Sequence, residues 1–348
     1  MSLVGIIANP ASGRDIRRLV AHGSVFDNDE KVNIVRRVLL GLEAVGVERV
    51  WIMPDDFGIG LRALDGLRLA LDVSLIPMPV TFSSEDSRRA AARLAEAGAG
   101  CIVTLGGDGT NRAVAKSSGD VPLMPISTGT NNVFPTMIEG TIAGLAAGLV
   151  ARGPAADAVR TAPRLDVVHA HRTRGGVEGA RRAGAPDDIA LVDAAIYEER
   201  FVAARAIWHA SRIKEVVLIR AEPGNIGLSS IGAHVLRGDE PPGHGVHLRM
   251  GADGRPVLAP IAPGLVRTAR VAERRLLAPG DEVVVRQEQA CVLALDGERE
   301  IQLRPGAVVR LRLNPDGPRV VDARKAIESA ARAGVFTAER VETERRAE

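Results

Sequence analysis

The 348-residue chain is poor in aromatics (3%), in cysteine (two residues) and in lysine, which occurs only at positions 31, 116, 214 and 325. Each scarcity excludes a class of function. So few rings leave no stacking platform for single-stranded nucleic acid. Two cysteines make no disulfide framework. Cys101 and Cys291 stand inside the apolar runs Cys-Ile-Val and Cys-Val-Leu-Ala-Leu, where a thiol behaves as a small hydrophobe. Neither sign of charge is in excess, because 45 Lys+Arg face 43 Asp+Glu for a formal +2, so a polyanion is not the default partner. No Gly-Lys dipeptide occurs, which excludes a Walker A loop. The longest apolar run, Ile142–Ala151, is about half of the ~20 residues a spanning helix needs. Met1-Ser2-Leu3-Val4-Gly5 has no basic lead-in to an apolar segment, so no secretory signal is expected. The expectation is a cytoplasmic protein with no membrane and no nucleic-acid partner.

With 46% hydrophobic and 25% charged residues, a chain of this length can bury two sizeable cores. In its first half, short β-branched runs at Leu3–Ala8, Arg49–Met53, Val73–Met78, Cys101–Leu105 and Pro122–Ile126 alternate with helix-length amphipathic stretches near 30–46, 59–71, 84–97 and 110–118. Ile138–Ala151 reads as one more helix. Such alternation predicts βαβ units in a doubly wound parallel sheet, with the ligand site at the carboxyl ends of its strands. From Arg164 onward, strand signals lie close together between turns such as Gly224-Asn225, Asp253-Gly254, Pro279-Gly280-Asp281 and Pro305-Gly306. That pattern predicts a β-rich, mostly antiparallel second domain, interrupted by a helix near Arg200–Ser211. The expected division is an α/β phosphate-donor domain at 1–155, an acceptor-binding domain at 156–322, and a helix with a charged tail at 323–348, the helix Ala323–Gly334 returning to the first domain.

The informative glycines are in Thr104-Leu105-Gly106-Gly107-Asp108-Gly109-Thr110-Asn111, between a strand and a helix. Glycine permits positive φ and close approach, and successive N–H groups at a helix N-terminus form an anion nest suited to phosphate. A carboxylate inside a phosphate cradle repels its ligand unless it holds a metal or takes a proton from a hydroxyl, and this gives Asp108 a chemical role. Two more small-residue loops, Asn9-Pro10-Ala11-Ser12-Gly13-Arg14 and Ser127-Thr128-Gly129-Thr130-Asn131-Asn132, close other strands of the same sheet and should project from the same edge. Against this, Gly-Asp-Gly alone is an ordinary tight turn.

These three segments resemble the motifs of the NAD kinase and diacylglycerol kinase-like superfamily, most of all its acetoin catabolism protein X branch, described as ATP-NAD kinase-like. The resemblance implies phosphoryl transfer from ATP, with Mg²⁺, to a substrate hydroxyl. Nucleotide and phosphate binding then falls to Asn9, Ser12, Gly13, Gly106, Gly107, Gly109, Thr110, Asn111, Thr128, Gly129, Thr130 and Asn131, with Asp108 as base or metal-associated carboxylate. On the acceptor side, Asn132 and Asp193 are the candidates for a nucleotide-like acceptor such as NAD(H). Val192-Asp193 stands where NAD kinases carry Asn-Glu, so an acid survives and an amide is gone. Asp296-Gly297-Glu298 resembles the Asp-Gly-Glu of the lipid kinases, which implies Asp296 as a metal ligand and Glu298 as a catalytic carboxylate; physically it also reads as a type I′ hairpin turn. A lipid or polyol acceptor, or a regulator of acetoin-type catabolism that binds nucleotide without turnover, are the alternatives. A homo-oligomer is expected.

Weaker signals are structural. Gly58-Ile59-Gly60-Leu61-Arg62-Ala63 fits a dinucleotide fingerprint but is cut off from its strand by Pro54-Asp55-Asp56-Phe57. His169 with His171, and His244 with His247, lack zinc-spaced companions and read as surface residues.

Overall fold

A computed structural model of the chain describes residues 2–13, 26–173, 176–178, 186–198, 212–236, 240–297 and 299–337. The central strands of the first sheet are buried on both faces, as a sheet covered twice requires. In β1 (Leu3–Ala8), Val4, Ile6 and Ala8 enter one core while Leu3 and Ile7 enter the opposite one. The chain continues through α1 (Asn28–Ala44), β2 (Arg49–Ile52), α2 (Ile59–Leu64), β3 (Asp72–Leu75), α3 (Ser84–Glu96), β4 (Cys101–Gly106), α4 (Asp108–Ala115), β5 (Leu123–Ser127), α5 (Gly140–Arg152) and β6 (Val159–Thr161). Helices α1 and α5 pack on one face, α3 and α4 on the other. Local chemistry sets their starts. The Asp27 side chain accepts from the Glu30 amide ahead of α1, Ser83 and Asp86 close a capping box on α3, and Glu139 caps α5. The stretch expected to be helical over 59–71 stops at Leu64, because Asp65 leaves the helix and Gly66 takes a left-handed φ of 74°.

The second half runs β7 (Arg164–Thr173), β8 (Gly176–Glu178), β9 (Asp188–Ala190), β10 (Asp193–Tyr197), β11 (Ile213–Leu218), α6 (Leu228–Val235), β12 (Gly245–Ala262), β13 (Leu265–Leu277), β14 (Glu282–Arg286), β15 (Cys291–Leu295), β16 (Arg299–Leu303), β17 (Val308–Asn314), β18 (Arg319–Val321) and α7 (Ala323–Arg332). Antiparallel pairing arranges one sheet as β13-β12-β11-β10-β15-β16 and another as β14-β17-β7-β8, with β9 also on β7. The two share a core. Alternation decides the sides: Ala194 and Ile196 of β10 face that shared core, while Ala195 and Tyr197 face a third cluster that α6 covers. The helix expected near Arg200–Ser211 lies outside the described residues.

The order of the first sheet is β3-β2-β1-β4-β5-β18-β6. Strands β3 through β18 are parallel, whereas β6 runs antiparallel to β18. Hydrogen bonding therefore carries this sheet past residue 155 through β6, and back into it before residue 323 through β18. Three-residue strands give no local sign of their distant partners. Helix α7 packs against α5 and buries Ala323, Ala326 and Ala330 in the first core.

Candidate functional site

The turn from β4 into α4 is formed by Gly106 and Gly107. A Cβ on Gly106 would lie 2.5 Å from Cβ and Oγ1 of Thr110, so the close approach of strand and helix needs glycine there. Left-handed backbone is not the reason: Gly107 has φ −89°, and neither Gly106 nor Gly109 has positive φ. Asp108 is the first residue of α4, at the positive end of the helix dipole. It is 6% exposed and turned inward. Its Oδ1 accepts from the amides of Phe134 (2.7 Å) and Val133 (3.1 Å), and its Oδ2 from the Val133 amide at 3.1 Å. The loop after β5 is thus fastened to the carboxylate of the Gly-Gly-Asp-Gly-Thr turn.

The three small-residue loops converge. Asn9 Nδ2 donates to Thr110 Oγ1 at 2.8 Å, and Thr128 Oγ1 donates to Ser12 Oγ at 3.0 Å. Asn9 also folds its own loop, accepting from the Ala11 amide and, through its carbonyl, from Ser12 Oγ. Gly13 takes φ 79° at the end of that loop. Beneath the loop, Lys31 of α1 is fully buried, its Nζ 3.0, 3.1 and 2.6 Å from the carbonyls of Asn9, Pro10 and Ser12 and 3.0 Å from Asn28 Oδ1. In the third loop, Ser127 Oγ donates to the Gly129 carbonyl and Thr130 is exposed. Asn111 is turned into the protein. It is fully buried, accepts from Thr104 Oγ1 at 2.6 Å and donates to the Gly107 carbonyl at 2.9 Å, bracing the turn from within.

Two cavities flank this junction. A cleft of about 940 Å³ opens at the carboxyl ends of β1 and β2, lined by Asn9, Gly109 and Thr110 on the loop side and by Asp55, Phe57 and Phe82 across from them. A small cavity of about 40 Å³ is lined by Asp108, Asn131, Asn132, Asp193 and Asp296. Asn131 Oδ1 is buried there with no hydrogen-bond partner among the described residues. Asn132 Nδ2 is committed to Ser127 Oγ at 2.8 Å and more weakly to the Gly129 carbonyl. Asp193, at the start of β10, reaches the same cavity from the second half of the chain.

Asp296 departs from the expected metal role. With Gly297 it lies in the turn that joins β15 to β16, both residues in the left-handed region at φ 52° and 65°. Its carboxylate accepts from the amides of Leu191, Val192 and Asp193 at 2.8–3.2 Å, and Arg112 stands 3.5 Å away. Burial pushes the Asp296 carboxyl above its ordinary range, against the pull of Arg112 and those amides. A carboxylate already wrapped by N–H donors is a poor ligand. Asp108 is engaged by amides in the same way, and no group of three His, Cys, Asp or Glu among the described residues is placed to hold a metal. The side chains present do not fit a protein-held Mg²⁺. Glu298 lies outside the described residues, as do the side chains of His169 and His171. His247 pairs with Glu215 at 2.9 Å.

Two residues that the motifs did not reveal tie α4 to the second half. Arg112 donates to the Leu295 carbonyl at 2.6 Å, and Lys116 Nζ meets Asp188 Oδ1 at 2.5 Å. Their spacing, four apart on a helix, is the one signal that could have shown a shared face.

Comparison with known proteins follows the same division of the chain. Residues 4–153 match the ATP-NAD kinase N-terminal domain, and residues 177–316 match the acetoin catabolism protein X C-terminal domain. Acetoin catabolism protein X of Cupriavidus necator is 43% identical over 348 aligned residues, which cover 95% of this chain and 92% of that protein. Among solved structures, a diacylglycerol kinase-like protein from Bacillus anthracis str. Sterne superposes with a TM-score of 0.48 at 12% identity, covering 92% of this chain and 97% of that one.

Proposed function

Given that the chain belongs to the acetoin catabolism protein X family, we propose that it is a phosphotransferase with an alcohol group as acceptor, taking its phosphoryl group from ATP bound in the 940 Å³ cleft. The observation that carries this reading is the small cavity that Asp108 shares with Asp193, with the next two residues of the same turn, Gly109 and Thr110, lining the cleft. In it, the loop amides and the Thr110 and Ser12 hydroxyls bind and orient the triphosphate. The in-line direction from the cleft to the cavity sets the path of transfer. Asp108 orients the acceptor hydroxyl and takes its proton. The amides of Val133 and Phe134 hold the carboxylate in place at the N-terminus of α4.

The acceptor is a small molecule with a free hydroxyl, NAD(H) or a related nucleotide-like compound being the first class to test. A cavity of about 40 Å³ has room for the reacting hydroxyl alone, so the body of any acceptor lies outside it. The same observation supports one other reading, a nucleotide-binding regulator without turnover, because both Asp108 oxygens already accept backbone amides.

Transfer of label from γ-labelled ATP to NAD, NADH and small polyols separates the two, run beside Asp108→Asn. The phosphotransferase reading expects one acceptor to be labelled, with a loss of at least ~100-fold in Asp108→Asn while ATP still binds. A wild type that binds ATP and labels nothing beyond the Asp108→Asn control establishes the regulator instead.

A further inference from the structure

Two arginines stand on segments next to Phe134, the residue that follows Val133 in the loop bound to Asp108. Arg220 follows β11 by two residues; the amide of the intervening Ile219 donates to the Val192 carbonyl at 2.9 Å, which fixes that stretch beside the Asp296 turn. The Arg220 guanidinium carbon lies 4.9 Å from the centre of the Phe134 ring. Phe134 is also the residue whose amide makes the shortest bond to Asp108. Arg160 lies on β6 opposite Val320 of β18, and Ala162, two residues on, packs with Phe134, Leu191, Val192 and Val320 in one apolar cluster. Both arginine-bearing segments therefore border the cluster that holds Phe134.

Neither guanidinium is directly paired with a carboxylate among the described residues. Arg220 Nε is buried with no hydrogen-bond partner, and among the described residues neither Arg220 nor Arg160 makes a hydrogen bond or ion pair with a protein group. Burial holds Arg220 below its ordinary range and the charge of Arg160 adds to this, while Glu222, Asp108 and Asp296 pull the other way. Two like charges held near one another, one of them desolvated, cost stability until an anion joins them. Guanidinium forks match the oxygens of a tetrahedral oxyanion, and the Phe134 face holds one of the forks in place.

We infer that Arg220 and Arg160 form a binding site for a phosphate or phosphoryl group beside the Asp108 loop. The site depends on these side chains and not on turnover. Its occupant is either the terminal phosphoryl of the nucleotide or a phosphate carried by the second ligand.

The test is calorimetric titration of the full chain with inorganic phosphate, ADP and ATP, comparing wild type with Arg220→Gln, Arg220→Lys and Arg160→Gln. Inorganic phosphate should bind the wild type and bind Arg220→Gln roughly 10- to 100-fold more weakly. A smaller loss is expected at the exposed Arg160, and partial retention in Arg220→Lys. If the nucleotide supplies the phosphoryl group, the preference for ATP over ADP collapses in Arg220→Gln. If the second ligand supplies it, that preference survives while affinity for inorganic phosphate still falls. Thermal unfolding gives an independent readout. Without phosphate, Arg220→Gln should unfold at the same or a higher temperature than wild type, and phosphate should stabilise only the wild type. Equal phosphate affinity in wild type and Arg220→Gln, no binding of any of the three anions by wild type, or a destabilised Arg220→Gln that still responds to phosphate overturns the proposal. Loss of phosphate binding in Arg220→Gln with no acceptor ever labelled leaves the anion site standing and removes the phosphotransferase reading alone.

Discussion

Cys101 begins β4 with no exposure at all, and burial pushes its thiol up to about 12. At neutral pH essentially no thiolate exists to react. Cys291 is also buried and its thiol is raised for the same reason. Both thiols should therefore be silent toward a thiol-disulfide reagent in the native protein and titrate as two after denaturation; a rapid native reaction at either would contradict this burial. Their inertness was legible from the apolar runs around them. The roles of the site glycines were only half legible. Composition shows that the backbone must come close to something, yet it does not distinguish a positive φ from a steric contact, and at Gly106 the reason is Thr110. Lysine offered a clue that motif reading does not use. In a chain that relies on arginine, Lys31 and Lys116 both stand where a compact ammonium, and not a planar fork, meets its acceptors.

At the scale of an element, α1 acts as a prop for the loop after β1. Lys31 draws three carbonyls of Asn9, Pro10 and Ser12 downward. Replacing Lys31 with Met should leave those carbonyls facing a hydrocarbon chain and lower stability by roughly 2–3 kcal/mol in urea unfolding. Nucleotide affinity should fall with it, and Lys31→Arg should not restore it, because a guanidinium cannot fill a site shaped for a point charge. Unchanged affinity in Lys31→Met would mean that the loop keeps its shape unaided. The three loops could be read from sequence because their work is done by backbone groups whose constraints appear as Gly, Ser, Thr and Asn. The Asp296 turn could be read as a hairpin but not as a tie, since its amide donors at 191–193 lie far along the chain. Helix α6 sits in a stretch rich in Gly and Ser, where local composition speaks for a loop and only packing on β12 makes it a helix.

For the whole molecule, the pair Lys116–Asp188 joins the helix that carries Asp108 to the second sheet system. Burial alone would raise the Asp188 carboxyl; the hydrogen bond and charge of Lys116 outweigh it and leave it below the ordinary 3.8. Because the folded value is the lower one, the unfolded chain binds the proton first as pH falls. The stabilisation is present above about pH 4 and is lost on going down through the folded value. Asp188→Asn should cost about 2 kcal/mol at neutral pH and flatten the loss of stability below about pH 4, measured by urea unfolding across that range. An acid limb as steep as that of wild type would place the pH dependence elsewhere. The alternation of strands and helices in the first half was legible because its central strands, β1 and β4, are buried on both sides and the outer ones still carry alternating apolar residues. The route of β18 was not, since a three-residue strand after Pro318 looks like any other segment of an antiparallel run.

That route bears on how the protein is made. While the polypeptide leaves the ribosome, the side of β5 that β18 will occupy has no neighbour until almost everything else has been synthesised. A nascent N-terminal half presents an open parallel edge, the kind of template that recruits stray strands. Cutting the gene between its two family-matched regions should consequently yield an insoluble first fragment, whereas a circular permutant that begins at β18 would supply the missing neighbour from the start.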